Sequence, residues 1–110
     1  MIYIKVKWLH SFSDEPVWLY SELDDQRWEI RKVYIYADGR AEYAGPNGNN
    51  GSTKLGIEPV PSFEEIASDP QFLPEEIPTD EFERVWKEAT AVTVQKIQPP
   101  QKPANRPPKA

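Results

Sequence analysis

Several stretches of this chain repeat with a period of two, and that period constrains the fold more than any other feature. Ile2, Ile4, Val6 and Trp8 alternate with Tyr3, Lys5, Lys7 and Leu9. Successive side chains of a strand point to opposite faces, so this stretch reads as a half-buried strand. Val17 to Leu23 repeats the pattern, with Val17, Leu19 and Leu23 on one side and Trp18, Tyr20 and Glu22 on the other. Arg27 to Tyr36 is the longest stretch, and its phase slips: Trp28 and Ile30 agree, then Val33 and Ile35 agree one residue later. One extra residue near Arg31 and Lys32 restores a single apolar face, as a β-bulge does. The turn Ala37-Asp38-Gly39 supplies the positive φ of a hairpin and leads into a short strand from Arg40 to Ala44. Each connection is short, which predicts a four-stranded antiparallel sheet in meander order.

Beyond the strands the period changes. Ser62 with Glu65 three residues on is a capping box, opening a short helix with Phe63, Ile66 and Ala67 on one side. Phe82, Val85, Trp86 and Ala89 recur at helical spacing and form one apolar stripe. The expected fold is α+β, with both helices packed on the aliphatic face of the sheet and the ring-bearing face left open. Gly45 to Gly56 reads as a mobile hairpin extension, and Gln71 to Pro78 as an extended linker. The β-branched run after Ala89 either frays or adds an edge strand. The tail from Gln98 has five prolines in thirteen residues and no large apolar group, so disorder is expected there. The expected organisation is one domain over residues 1–97 and a basic proline-rich tail over 98–110.

Charge and composition narrow the function classes. A chain of 110 residues makes one domain. It has no cysteine, which excludes disulfide scaffolds, thiol catalysis and thiolate zinc sites. Its single histidine, His10, leaves little for a metal centre, and no cofactor is expected. No run reaches the roughly 18 apolar residues of a membrane span, and no secretion leader opens the chain, so a cytoplasmic location is expected. The formal charge is −5, from 13 basic and 18 acidic residues. Three of the bases, Lys102, Arg106 and Lys109, lie in the tail, so residues 1–97 carry 10 bases against 18 acids, or −8. Such a surface repels nucleic-acid phosphates and steers toward a basic protein partner, although it also simply favours solubility.

The stretch from Tyr20 to Val33, Tyr-Ser-Glu-Leu-Asp followed by Arg-Trp-Glu-Ile-Arg-Lys-Val, is the most distinctive. Together with Asp38-Gly39, Leu55-Gly56, the Pro61 to Ile66 segment and the Phe82 to Trp86 segment, it resembles a family of short bacterial domains of unknown function. The resemblance covers about residues 2 to 90. It implies a bacterial, cytoplasmic, single-domain protein and carries over neither an activity nor a catalytic residue. By analogy of class, small acidic domains of this kind serve as immunity proteins beside toxins.

The leading expectation is a non-enzymatic protein-binding domain, an immunity-type or regulatory inhibitor that covers a basic toxin or enzyme with its open sheet face. Trp18, Tyr20, Glu22, Arg27, Glu29 and Tyr34 are the candidate binding residues, because aromatic rings and arginines dominate recognition surfaces. A cross-strand ionic ladder on a solvated face explains the charged members equally well. Two alternatives stay open. One is a small-molecule or nucleotide-processing enzyme with a pocket near the glycine-asparagine loop, using Glu22, Glu29, Arg27 or His10. The loop lacks the Gly-Lys-Ser/Thr ending of a phosphate loop, and the adjacent acids Asp24-Asp25 and Glu64-Glu65 fit turns and helix starts. The other is a single-stranded nucleic-acid binder that stacks bases on the rings, favoured by Lys5 and Lys7 and opposed by the charge.

Overall fold

A computed structural model describes residues 1–51 and 53–97; the proline-rich tail expected from Gln98 lies outside the described residues. The four alternating stretches form β1 (Ile2–Trp8), β2 (Trp18–Leu23), β3 (Glu29–Ile35) and β4 (Ala41–Gly45), paired antiparallel in meander order. Gly39, at φ +89°, turns the chain between β3 and β4. Two further strands enlarge the sheet. The two-residue β5 (Gly48–Asn49) pairs with β4, and β6 (Phe72–Glu76) pairs with β1. The described sheet therefore has six strands in the order β5-β4-β3-β2-β1-β6, not the four expected.

Both additions have a local cause. β6 holds Pro74, which donates no backbone hydrogen bond and is tolerated in a strand only at a sheet edge. Within the glycine-asparagine segment, Asn50 accepts from the Tyr43 amide at 2.7 Å and Asn49 donates to the Thr53 carbonyl at 2.6 Å. Side-chain amides thus hold this segment where a longer strand ladder is missing.

The helices are α1 (Phe63–Ala67) and α2 (Thr79–Ile97). The Ser62–Glu65 capping box is present in α1. The β-branched run adds no edge strand; α2 continues through it to Ile97. Helix propensities differ by only about 0.7 kcal/mol per residue among ordinary side chains, too little to end an established helix.

The expectation of two helices on one face is overturned. The α2 stripe covers the ring-bearing side, where Phe82, Val85 and Ala89 are buried with Tyr3, Tyr20 and Val33, and Trp18, Tyr43 and Trp86 pack around them. On the opposite side Ile4, Val6 and Leu23 are buried with Phe63, Ile66, Val60 and Phe72 around them. Rings explain the choice, since each buries about 150–250 Å² and the ring-bearing face offers the most area to the bulky Phe82 and Trp86.

The bulge falls in β3. Glu22 pairs with Arg31 and Leu23 with Glu29, so Ile30 is the extra residue, just before the expected place. Residues three apart on a regular strand point to opposite faces. The bulge cancels that rule and brings Glu29 and Lys32 to the same face, where they form an ion pair at 3.1 Å.

Candidate functional site

The site is built from the β2–β3 turn upward. Asp24 accepts the amides of Gln26 and Trp28, each at 2.9 Å, which tightens the turn and sets Arg27 at φ +69°. That left-handed conformation is unfavourable for a side chain with a Cβ. Arg27 is held by the segment it grips: its guanidinium donates to the carbonyls of Val60 and Pro61 at 2.9 and 2.7 Å, and its own carbonyl accepts the Val60 amide at 2.7 Å. These bonds place Ser62 and α1 over the aliphatic face.

A cleft of about 320 Å³ lies between α1 and the sheet. Its walls are the aliphatic side chains of Ile4, Val6, Leu19, Val60 and Ile66, with the ring of Phe72. Ser21, Glu29, Tyr34, Glu65 and Asp69 add its polar groups. A second cavity of about 440 Å³ adjoins it and shares Leu19, Tyr34 and Phe72. The second is more polar, with Lys32, Tyr36, Thr53, Lys54 and Glu15 in its lining. The two form one groove along the face that α2 leaves uncovered.

Lys32 sits in this groove with its side chain only 7% exposed. Its ammonium pairs with Glu29 at 3.1 Å and donates to the Tyr34 hydroxyl at 3.2 Å. Burial favours the neutral amine, but Tyr34 and Glu29 outweigh it and hold the pKa above the ordinary lysine value. Glu29 also accepts the Gly56 amide at 2.6 Å, which ties the loop after β5 to the groove. Thr53 donates to Glu42, which also accepts the Tyr36 hydroxyl.

The six predicted site residues do not form one surface. Glu29 and Tyr34 line the groove. Arg27 clamps its roof rather than facing a ligand. Trp18, Tyr20 and Glu22 lie on the other face, where Tyr20 and Glu22 are buried. Glu22 accepts Arg31 at 2.7 and 3.1 Å and Tyr3 at 2.9 Å. The Arg31 hydrogen bonds depress the Glu22 pKa below its usual range against the opposing effect of burial, with Tyr3 assisting. Arg31 also pairs with Glu83 of α2 at 2.6 Å and lies 5.0 Å from the centres of both the Phe82 and Trp86 rings. Glu22 and Arg31 are thus a cross-strand pair packed beneath α2, with Glu83 at its exposed edge, while Arg27 and Glu29 lie elsewhere.

Residues invoked for the alternatives are likewise dispersed. Glu22 and Glu29 project from opposite faces, so they make no carboxylate pair. Both nitrogens of His10 are engaged: Nδ1 accepts the Phe12 amide at 2.9 Å, which leaves Nε2–H to donate to the Pro16 carbonyl at 2.8 Å. Lys5 pairs with Glu81 at 3.1 Å. Among the described residues no group of three or more potential metal ligands converges, and no helix is long and apolar enough to cross a membrane.

Sequence reasoning missed Lys32, Lys54, Ser21 and Phe72. The phase slip in β3 was the available signal for Lys32, because it reassigns that side chain to the face of Leu19 and Ser21.

No curated protein and no solved structure matches the chain. A family model does match, across residues 2–91. The chain belongs to the family described as Domain of unknown function (DUF6881).

Proposed function

We propose that this is a non-enzymatic binding domain that engages a basic protein partner through the groove on the α1 face. The observation that carries the reading is the aliphatic cleft of about 320 Å³ bordered by the carboxylates of Glu65 and Asp69. An apolar anchor entering such a cleft gains roughly 1.5–3 kcal/mol from burial of one large side chain. Acidic groups beside the anchor favour a basic surface around it and disfavour an acidic one. The charge of −8 over residues 1–97 steers the same class of partner from a distance. Protein recognition commonly combines a buried anchor with a charged surround. An inhibitor of the immunity or regulatory type is the form this reading takes, since covering a basic surface blocks whatever that surface binds.

A photoreactive residue placed at Glu65 or Lys54, both exposed beside the groove, tests the reading in the native host. The same probe at Lys87, exposed on α2, is the control. The expected result is one basic protein cross-linked from both groove positions and not from Lys87, and bound again by the purified domain. Cross-links from Lys87 alone, or none from the groove, contradict it.

A further inference from the structure

One side chain ties the connection between β1 and β2 together. The ring of His10 stands edge-on to the indole of Trp8, with 4.4 Å between centroids. The indole is itself fixed, donating to the Gln71 side chain at 2.7 Å and packing on Phe72 at 5.7 Å. From that seat the imidazole holds the loop at two points. Nδ1 accepts the Phe12 amide at 2.9 Å, and Nε2 meets the Pro16 carbonyl at 2.8 Å. A backbone amide only donates and a carbonyl only accepts. Both bonds therefore exist together in one form of the ring, the neutral tautomer protonated at Nε2. Trp8 and Pro16 line the second cavity of the groove, as does Glu15, so His10 stands directly behind the groove wall.

We infer that His10 is a pH-sensitive clasp behind the groove. Neutral, it joins Phe12 to Pro16; protonated, it releases Phe12 and places a positive charge against the groove wall. Protonation adds a hydrogen at Nδ1, so two donors then face each other across 2.9 Å. The Pro16 carbonyl keeps its partner, because Nε2–H is unchanged and its bond becomes charge-assisted. The repulsion falls on Phe12, whose ring is 60% exposed and stacks on the imidazole at 5.3 Å. Histidine is the side chain whose ordinary titration falls between about pH 5 and 8. The titratable and charged groups around it are Asp14 and Glu15 on its own loop, Asp69 behind Gln71, and Lys32, Lys54, Tyr34 and Tyr36 in the cavity lining. Among the described residues none of these pairs with the ring. The consequence for binding rests on the reading of this groove as the surface for a basic partner. A charge one ring away from the wall lies within the screening length of about 8 Å and opposes such a partner.

NMR of the isotope-labelled full chain tests the clasp without a partner. In mildly alkaline solution a scalar coupling is expected across the hydrogen bond, between the Phe12 amide nitrogen and His10 Nδ1, with the ring proton on Nε2. The coupling should vanish as pH falls through the histidine range, with the midpoint at which the ring itself titrates. The amides of Ile4 and Leu23, in the sheet, should not move with it. Absence of the coupling in alkaline solution, its survival on the protonated ring, or a ring that stays neutral throughout that range overturns the inference. Cross-linking from a photoreactive residue at Glu65, in host extract, tests the consequence. Capture of the basic partner should fall several-fold between about pH 7.5 and 5.5, and His10→Ala should remove that fall. No fall, or a fall of the same size in both proteins, overturns the link between clasp and groove. If no basic protein is captured at either pH, the reading of the groove fails, and the NMR coupling alone decides the clasp.

Discussion

Beneath α2 the buried carboxylate of Glu22 accepts three hydrogen bonds, two from Arg31 and one from Tyr3, whereas beneath α1 the buried ammonium of Lys32 has one ion pair, with Glu29, and one hydrogen bond, to Tyr34. Arg31 has both of its neighbouring carboxylates and two ring faces. Lys32 has one carboxylate, one phenol and a cavity. A closed inventory fixes a structure, since each member is satisfied only while the others stay in place. The Lys32 cluster instead lines a cavity that solvent or a partner can enter. On that physical ground the α2 face is the scaffold, and we propose the α1 face as the recognition surface.

The comparison can be broken most forcefully at its scaffold. Phe82 is fully buried and touches both α2 and the sheet, so Phe82→Ala should cost about 3–5 kcal/mol, read as a large fall in the urea midpoint. A loss below 1 kcal/mol shows that α2 does not seal that face. Arg31→Met should cost about 3 kcal/mol, because it strands the Glu22 carboxylate in a place that water reaches poorly.

Acid should act through the same pair. The folded-state pKa of Glu22 is depressed, so its contribution is fully present above the ordinary carboxylate range and is lost as pH falls through that range toward the folded value. Stability should therefore decline from about pH 5 downward, and Glu22→Gln should start lower and show a flatter decline. An unchanged slope in chemical-denaturation curves at successive pH values contradicts the assignment.

The smallest effect sharpens the other side. Arg27→Ala keeps the unfavourable positive φ and loses the bonds to Val60 and Pro61, and should cost about 1–2 kcal/mol. Arg27→Gly loses the same guanidinium but relieves the backbone, so the two variants should differ, with glycine about 1 kcal/mol the more stable. Cross-linking of the partner from the groove should weaken in both, because α1 loses its anchor.

Much of the architecture was legible in the period of the sequence, and its failures have local causes. The alternation from Ile2 onward marks β1 to β4, and Ser62 with Glu65 marks α1. Pro74 hid β6, since proline argues against a strand except at an edge, and edge status depends on the whole sheet. Parity grouped Trp18, Tyr20 and Glu22 correctly on one face but carried no information on which face a helix covers. That depended on ring area on both partners. Glu29 and Tyr34 reached the groove from the predicted set because the bulge carried Glu29 across the sheet. Lys32 remained hidden for the same reason, as a shift of one residue exchanges inside for outside.

Hydroxyl-radical footprinting of the tyrosines tests the central claim most directly. Tyr34 lines the groove, whereas Tyr3 and Tyr20 are each 9% exposed beneath α2. Their intrinsic reactivity is the same, so the rates report access alone. The account predicts that Tyr34 is modified several-fold faster than either, and that a ligand of the groove slows Tyr34 without affecting the others. Modification of Tyr3 and Tyr20 as fast as Tyr34 contradicts it, because the ring-bearing face is then the open one.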